Sequence, residues 1–181
     1  MPQPHIIFIS GASGAGKTTL IDALKEKYGN HNEVKFFHFD SIGVPSEAGM
    51  IKEFGSGKAW QREKTYQWIK TLLRECTDQK VVILEGQTEL TFIEDAFKLY
   101  KVKSSTILLL HAQEDVRHQR LEFKRYQPHL INADMDNWAK YLYKQAQSMG
   151  IKILDASHNL NDSVHDIQNL LTGKGIDEKR G

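Results

Sequence analysis

The chain is poor in cysteine and proline, and it has no long apolar run. Cys76 is the single cysteine in 181 residues, so no internal disulfide forms and a disulfide-stapled secreted scaffold is excluded. Cys76 ends a helical stripe with Trp68, Ile69, Leu72 and Leu73, and it reads as a core residue. No stretch reaches the length of a membrane span. The opening Met1-Pro2-Gln3-Pro4 lacks a charged region followed by an apolar one, so no export signal is expected. An excess of one charge is missing too. The 24 Lys and Arg stand against 23 Asp and Glu, a formal net charge of +1. That gives no footprint for nucleic acid or for an acidic membrane surface. Internal repeats, low-complexity tracts and linkers are likewise absent.

What is present fits one globular domain over residues 1–181. Hydrophobic residues make up 40% and charged residues 26%, the balance of a soluble protein, and a cytoplasmic setting is expected. Short apolar runs predict strands at residues 6–10, 35–39, 81–85, 106–111 and 151–154. They are continuous rather than alternating, as in strands buried on both faces. Helical spacing between them predicts helices at about 17–28, 59–76, 90–99, 114–126, 134–149 and 162–171. The alternation implies an α/β fold, a doubly wound parallel sheet with helices on both faces. Residues 43–57 are less regular, and the polar tail 173–181 is expected to fray.

The most informative letters are residues 11–18, Gly-Ala-Ser-Gly-Ala-Gly-Lys-Thr. The spacing is G-x-x-x-x-G-K-[ST], the phosphate-binding P-loop. It sits between a predicted strand and a predicted helix, the order the motif requires. Successive backbone N–H groups there form an anion nest, and the helix N-terminus adds its positive dipole. The candidate nucleotide-binding set is Gly11, Ala12, Ser13, Gly14, Ala15, Gly16, Lys17, Thr18 and Thr19. Lys17 reaches the β- and γ-phosphates, and the Thr18 hydroxyl is a ligand for Mg²⁺.

In parallel α/β sheets, ligands sit beyond the carboxyl ends of the strands, which selects the remaining candidates. Asp40 follows the second strand. It reads either as the base that takes a proton from an attacking hydroxyl or as the cap of a turn with Ser41. Glu85 closes the third strand after Val81-Val82-Ile83-Leu84. It reads either as a Mg²⁺ ligand, direct or through water, or as a helix-capping acid. Arg117, Arg120 and Arg125 follow the fourth strand, with Lys124 beside them. They read as a lid closing over a triphosphate or as a solvated basic face. Arg62 is a candidate contact for an anionic acceptor. His5, His38 and His118 show no zinc spacing. Trp60, Trp68 and Trp138 read as core or pocket wall.

With these residues in place, the chain resembles the small P-loop kinases of the nucleoside monophosphate kinase-like group, which includes uridine, pantothenate, shikimate and gluconate kinases. The match is strong at residues 11–18. Phe39-Asp40 resembles the catalytic acid of the uridine kinase-like branch, Ile83-Leu84-Glu85-Gly86 resembles its E-G signature, and the arginines resemble an R-x-x-R lid helix. The resemblance implies strand order 2-3-1-4-5 and an adenine pocket near residues 155–161. The usual acceptor-site signatures are absent.

The expected activity is ATP-dependent transfer of a γ-phosphoryl group to a small-molecule acceptor, at a hydroxyl. Lys17, Asp40, Arg117, Arg120 and Arg125 are the catalytic candidates, Thr18 and Glu85 the metal ligands, and ATP and Mg²⁺ the cofactors. A lid is expected over residues 114–136 and an acceptor-binding insert over 41–62. The alternative is a nucleotide-dependent switch, suggested by the D-x-x-G form of residues 40–43 and weakened by the lack of an N-K-x-D sequence.

Overall fold

Apolar side chains that run without interruption must be covered on both sides, and the sheet shows this directly. In the computed structural model, which describes residues 2–178, His5–Ser10 (β1) and Val81–Gly86 (β3) are buried at every position. Val34–His38 (β2), Ser105–His111 (β4) and Lys152–Asp155 (β5) complete a five-stranded sheet. The order is β2-β3-β1-β4-β5 and every pairing is parallel. This is the α/β fold and the strand order expected above.

Successive side chains along a strand face opposite ways, which sorts β1 between two cores. Ile7 and Ile9 pack with Leu20, Ile21 and Leu24 of Lys17–Tyr28 (α1) and with Ile167 and Leu171 of Leu160–Thr172 (α7). Ile6 and Phe8 pack with Trp60, Trp68 and Leu72 of Gly57–Glu75 (α3). That second core also takes Ile93 of Leu90–Leu99 (α4), Leu142 of Ala133–Met149 (α6), and Cys76.

Two local features depart from the sequence reading. Residues 43–57 contain a helix, Glu47–Phe54 (α2). The Ser46 hydroxyl caps it by accepting from the Gly49 N–H, and Gly55 ends it in the left-handed conformation, a common close to a helix. The single helix expected over 114–126 is instead Glu114–Gln119 (α5) followed by a π-turn, Arg120–Lys124. Wide turns of this kind cluster at functional sites.

β5 covers only part of its neighbour. Its four residues pair with residues 108–111 of β4, while residues 105–107 pair with β1 alone. The tail expected to fray from Gly173 is docked as far as it is described: Ile176 is buried in the first core, and Glu178 accepts from Lys27. Residues 179–181 lie outside the described residues. No helix among the described residues is long and apolar enough to cross a membrane.

Candidate active site

The loop between β1 and α1 is shaped by backbone geometry. Gly14 has φ 81° and Gly16 has φ 104°. A Cβ on Gly14 would lie 2.8 Å from the Arg117 carbonyl oxygen, so both the left-handed conformation and the close approach of α5 require glycine there. Lys17 folds back over the loop: its Nζ donates to the Gly11 carbonyl at 2.8 Å and to the Ala12 carbonyl at 3.3 Å. Burial pushes the Lys17 ammonium below its ordinary pKa; Glu85 and Asp40 pull it back up, and Arg125 pushes it further down. One lysine therefore feels both strand-end acids. Thr18 and Thr19 are exposed on the first turn of α1. A cavity of about 480 Å³ runs from the loop past Arg120, Lys124 and Arg125 to His158 and Leu160. His158 lies in the 155–161 loop singled out above.

Glu85 is buried at the end of β3, and parallel pairing sets His38 of β2 beside it. His38 Nδ1 lies 2.8 Å from Glu85 Oε1, and its Nε2 lies 2.9 Å from Lys25 Nζ. The Lys25 ammonium is only a donor, so Nε2 accepts and the ring proton sits on Nδ1, donating to Glu85. This fixes the carboxylate through one oxygen. His38 was not among the sequence-predicted site residues, because its role depends on which strands are neighbours. Asp40 is exposed in the short 3₁₀ turn Phe39–Ile42, where Phe39 anchors the turn in the second core.

The three candidate arginines separate. Arg117, expected on an open lid, is 2% exposed and pairs with Asp136 of α6. Burial raises the Asp136 carboxyl, but hydrogen bonds from His118 and Arg117 outweigh that and hold it below its ordinary value. Arg117 also reaches the Ser13 carbonyl of the P-loop at 3.5 Å, so its guanidinium is held between that loop and Asp136 of α6 rather than standing open over the cavity. Arg120 donates to the carbonyls of Ala15 at 3.0 Å and Ala156 at 2.6 Å, tying the P-loop to the loop after β5. Arg125 is exposed at the cavity.

A second set of residues went unread in the sequence. After β3, Gln87 Oε1 accepts from the Ser13 hydroxyl at 3.0 Å. Gln61 of α3 bridges the same loop, donating to the Gln87 carbonyl and accepting from the Glu89 N–H. Glu89 is buried, and its Oε1 accepts from Lys58 Nζ at 2.9 Å and from the Tyr141 hydroxyl at 3.2 Å. Polar letters in a loop carry no periodicity, so no sequence signal marked them. Arg62 lies exposed against Tyr66. Trp60 and Trp68 are core residues, and Trp138 stacks on Tyr141.

Comparison with solved structures finds the same architecture in other proteins. A shikimate kinase from Acinetobacter baumannii, in complex with shikimate, aligns with TM-score 0.61 and 16% identity over 94% of each chain. A gluconokinase from Sinorhizobium meliloti 1021 aligns with TM-score 0.63 and 15% identity over 97% of this chain and 94% of its own. A sugar kinase from Janibacter sp. HTCC2649 gives TM-score 0.64 and 16% identity over 98% of this chain and all of its own. At such identities the likeness is one of fold. No curated protein matches the sequence significantly. The sequence profile of the AAA domain family (AAA_18) matches residues 7–147, a span from β1 through most of α6, and the chain belongs to that P-loop family.

Proposed function

We propose that the chain is an ATP-dependent phosphotransferase that passes a γ-phosphoryl group to a hydroxyl of a small-molecule acceptor. The observation that carries this reading is the placement of Lys17 after β1, Glu85 at the end of β3 and Asp40 after β2, at the same end of three neighbouring parallel strands. Phosphoryl transfer needs positioning and charge stabilisation more than covalent help, and these groups supply both. The loop amides and Lys17 hold the phosphates, with Lys17 leaving the Gly11 and Ala12 carbonyls to do so. The cavity between Arg120 and Leu160 takes the rest of the nucleotide, with the base toward the loop after β5.

The donor set fits Mg²⁺. Thr18 offers an exposed hydroxyl and Glu85 an oxygen not used by His38, and a hard cation wants such oxygens together with phosphate oxygens. When bound, Mg²⁺ neutralises phosphate charge. Asp40, exposed at the adjoining strand end, takes the proton from the acceptor hydroxyl. Arg125, free at the cavity mouth, moves in over the phosphates and helps exclude water, within a lid over residues 114–136. Arg120 holds the loop, and Arg117 supports α6. The segment 41–62, with α2 and the start of α3, forms the acceptor side.

The test is a metabolite screen with Mg-ATP, scored by ADP formation against a no-acceptor control. The expected result is rapid ADP release only with an acceptor. Tight ATP binding with ADP release that no metabolite raises would refute the proposal and favour a switch protein.

A further inference from the structure

The P-loop is approached from both flanks, because β1 lies between β3 and β4. From the β4 side come Arg117, which donates to the Ser13 carbonyl, and Arg120, which donates to the Gly14 and Ala15 carbonyls. From the β3 side comes Gln87, to whose Oε1 the Ser13 hydroxyl donates at 3.0 Å. The two arginines are committed to carbonyl oxygens and, for Arg117, to Asp136. Gln87 is different. Its half-buried carboxamide leaves Nε2 with no partner among the described residues. An amide nitrogen carries two N–H donors, so a neutral, uncommitted donor stands one hydrogen bond from the phosphate nest.

The backbone beneath that donor is tied down on every side. Gln61 Nε2 of α3 donates to the Gln87 carbonyl at 3.0 Å, and the Glu89 N–H donates to Gln61 Oε1 at 3.1 Å. Between these two, the Ser10 hydroxyl at the end of β1 donates to the Thr88 carbonyl at 2.6 Å, and the Thr65 and Thr88 hydroxyls lie 2.9 Å apart. Ser10, Thr65 and Thr88 are fully buried, where an unpaired polar group costs about 1–3 kcal/mol, and each has its partner. Gly86, just before Gln87, packs so closely on Phe39 that a Cβ there would collide with it. Phe39 in turn precedes Asp40. The Gln87 amide and the Asp40 carboxylate are therefore each one residue away from the same close contact, at the end of the sheet that holds Glu85.

We infer that Gln87 is a further catalytic residue, whose Nε2 donates to a γ-phosphoryl oxygen as that group passes from ATP to the acceptor. The inference rests on the phosphotransferase reading and adds to it a contact from the β3 side. In such a transfer, charge spreads over the three equatorial oxygens of the phosphoryl group. Lys17, Mg²⁺ and Arg125 meet it with positive charge. A carboxamide adds a donor and no charge, so it leaves the basicity of the Asp40 carboxylate intact. A donor fixed in advance also needs no reorganisation at the moment of reaction. The bond from the acceptor oxygen to the γ-phosphorus forms as the bond from the γ-phosphorus to the β–γ bridging oxygen breaks. ADP leaves with that electron pair, the hydroxyl proton passes to Asp40, and Gln87 exchanges no proton.

The experiment compares the full-length parent with Gln87→Met and Gln87→Glu. Methionine fills the same space without donor or acceptor. Glutamate keeps an oxygen for the Ser13 hydroxyl but turns the free donor into an anionic acceptor. Calorimetry reads the binding of Mg-ADP alone and of Mg-ADP with aluminium fluoride, which imitates the phosphoryl group in flight. Both variants are expected to bind Mg-ADP within about twofold of the parent, and Gln87→Met to lose about 10–100-fold in affinity for the aluminium fluoride complex. Turnover is read with Mg-ATP and a panel of sugars, polyols, hydroxy acids and nucleosides. For the compound that the parent phosphorylates, kcat is expected to fall by about 10–100-fold in Gln87→Met and further in Gln87→Glu. Parental kcat in Gln87→Glu overturns the inference, because a brace needs only the oxygen that Ser13 bonds. So does an equal loss of affinity for Mg-ADP and for its aluminium fluoride complex in Gln87→Met, the mark of a disturbed loop. In both cases the phosphotransferase reading stands, since the parent still turns over its acceptor. A parent that binds ATP and releases no ADP in response to any compound of the panel removes both.

Discussion

Replacing Asp136 with alanine tests the reassignment of Arg117 from lid to brace. The change removes the only carboxylate among the described residues that pairs with a guanidinium 2% exposed, whose Nε has no hydrogen-bond partner among them. Breaking a buried ion pair from one side costs about 3–5 kcal/mol, because the remaining charge stays out of water. The Asp136 side chain retains 14% exposure, so water enters the gap and the lower end applies, about 3 kcal/mol. For a chain of this size each kcal/mol moves Tm by about 2–4 °C, giving a fall of about 6–12 °C. The assay is thermal unfolding followed by circular dichroism, with ATP affinity measured in parallel. The double variant Arg117→Met with Asp136→Leu should recover most of the loss, since apolar replacement of both partners removes the stranded charge. A Tm within about 2 °C of the parent, together with weakened ATP binding, would refute the brace and return Arg117 to the phosphates.

The remaining predictions concern the site and the core. Lys17→Ala should weaken ATP binding by about 10–100-fold in calorimetry, the worth of a charge-assisted contact. Asp40→Asn should keep ATP affinity and lower kcat by about 10²–10⁴; full transfer by that variant would remove Asp40 from the mechanism. His38→Leu should raise the Mg²⁺ concentration for half-maximal ADP formation by about 10–100-fold, because Glu85 loses the donor that orients it. Burial pushes the His5 imidazole down from 6.5 to about 4, with Lys174 adding to the shift. Its neutral form, held between Ser104 and Thr106, contributes its full stabilisation above pH 6.5. That contribution falls as pH drops toward 4, where the unfolded chain binds the proton first, a loss of about 2–3 kcal/mol. Chemical denaturation across this range should show the slope, and His5→Asn should flatten it.

The legibility of the chain divides along physical lines. β1 and β3 were readable because a strand covered on both faces has to be apolar throughout, and Val81-Val82-Ile83-Leu84 admits little else. The helix α2 was not, because it buries no residue and so leaves no apolar stripe; only its Ser46 cap and Gly55 stop mark it. The P-loop was readable because backbone conformation dictates its glycines. The His38–Glu85 contact was hidden, since it depends on β2 lying next to β3 in a given register. Arg117 and Arg120 share a helix face by spacing, yet the wide turn starting at Arg120 and the distant Asp136 send them to different tasks. Glu89 sits in a loop where letters follow no period, and its burial comes from α3 and α6 closing over it.

The short final strand has a consequence for how the chain behaves in company. By stopping opposite residues 108–111 of β4, it leaves a length of parallel edge open at residues 105–107, a template on which a foreign strand can add. Lys98, Lys101 and Lys152 stand around the adjoining groove, the first and last paired with Glu94 and Asp166, and charged side chains beside an open edge oppose the docking of another strand. Replacing these charged groups with apolar ones is the change that would turn this edge toward self-association, at a place remote from the P-loop.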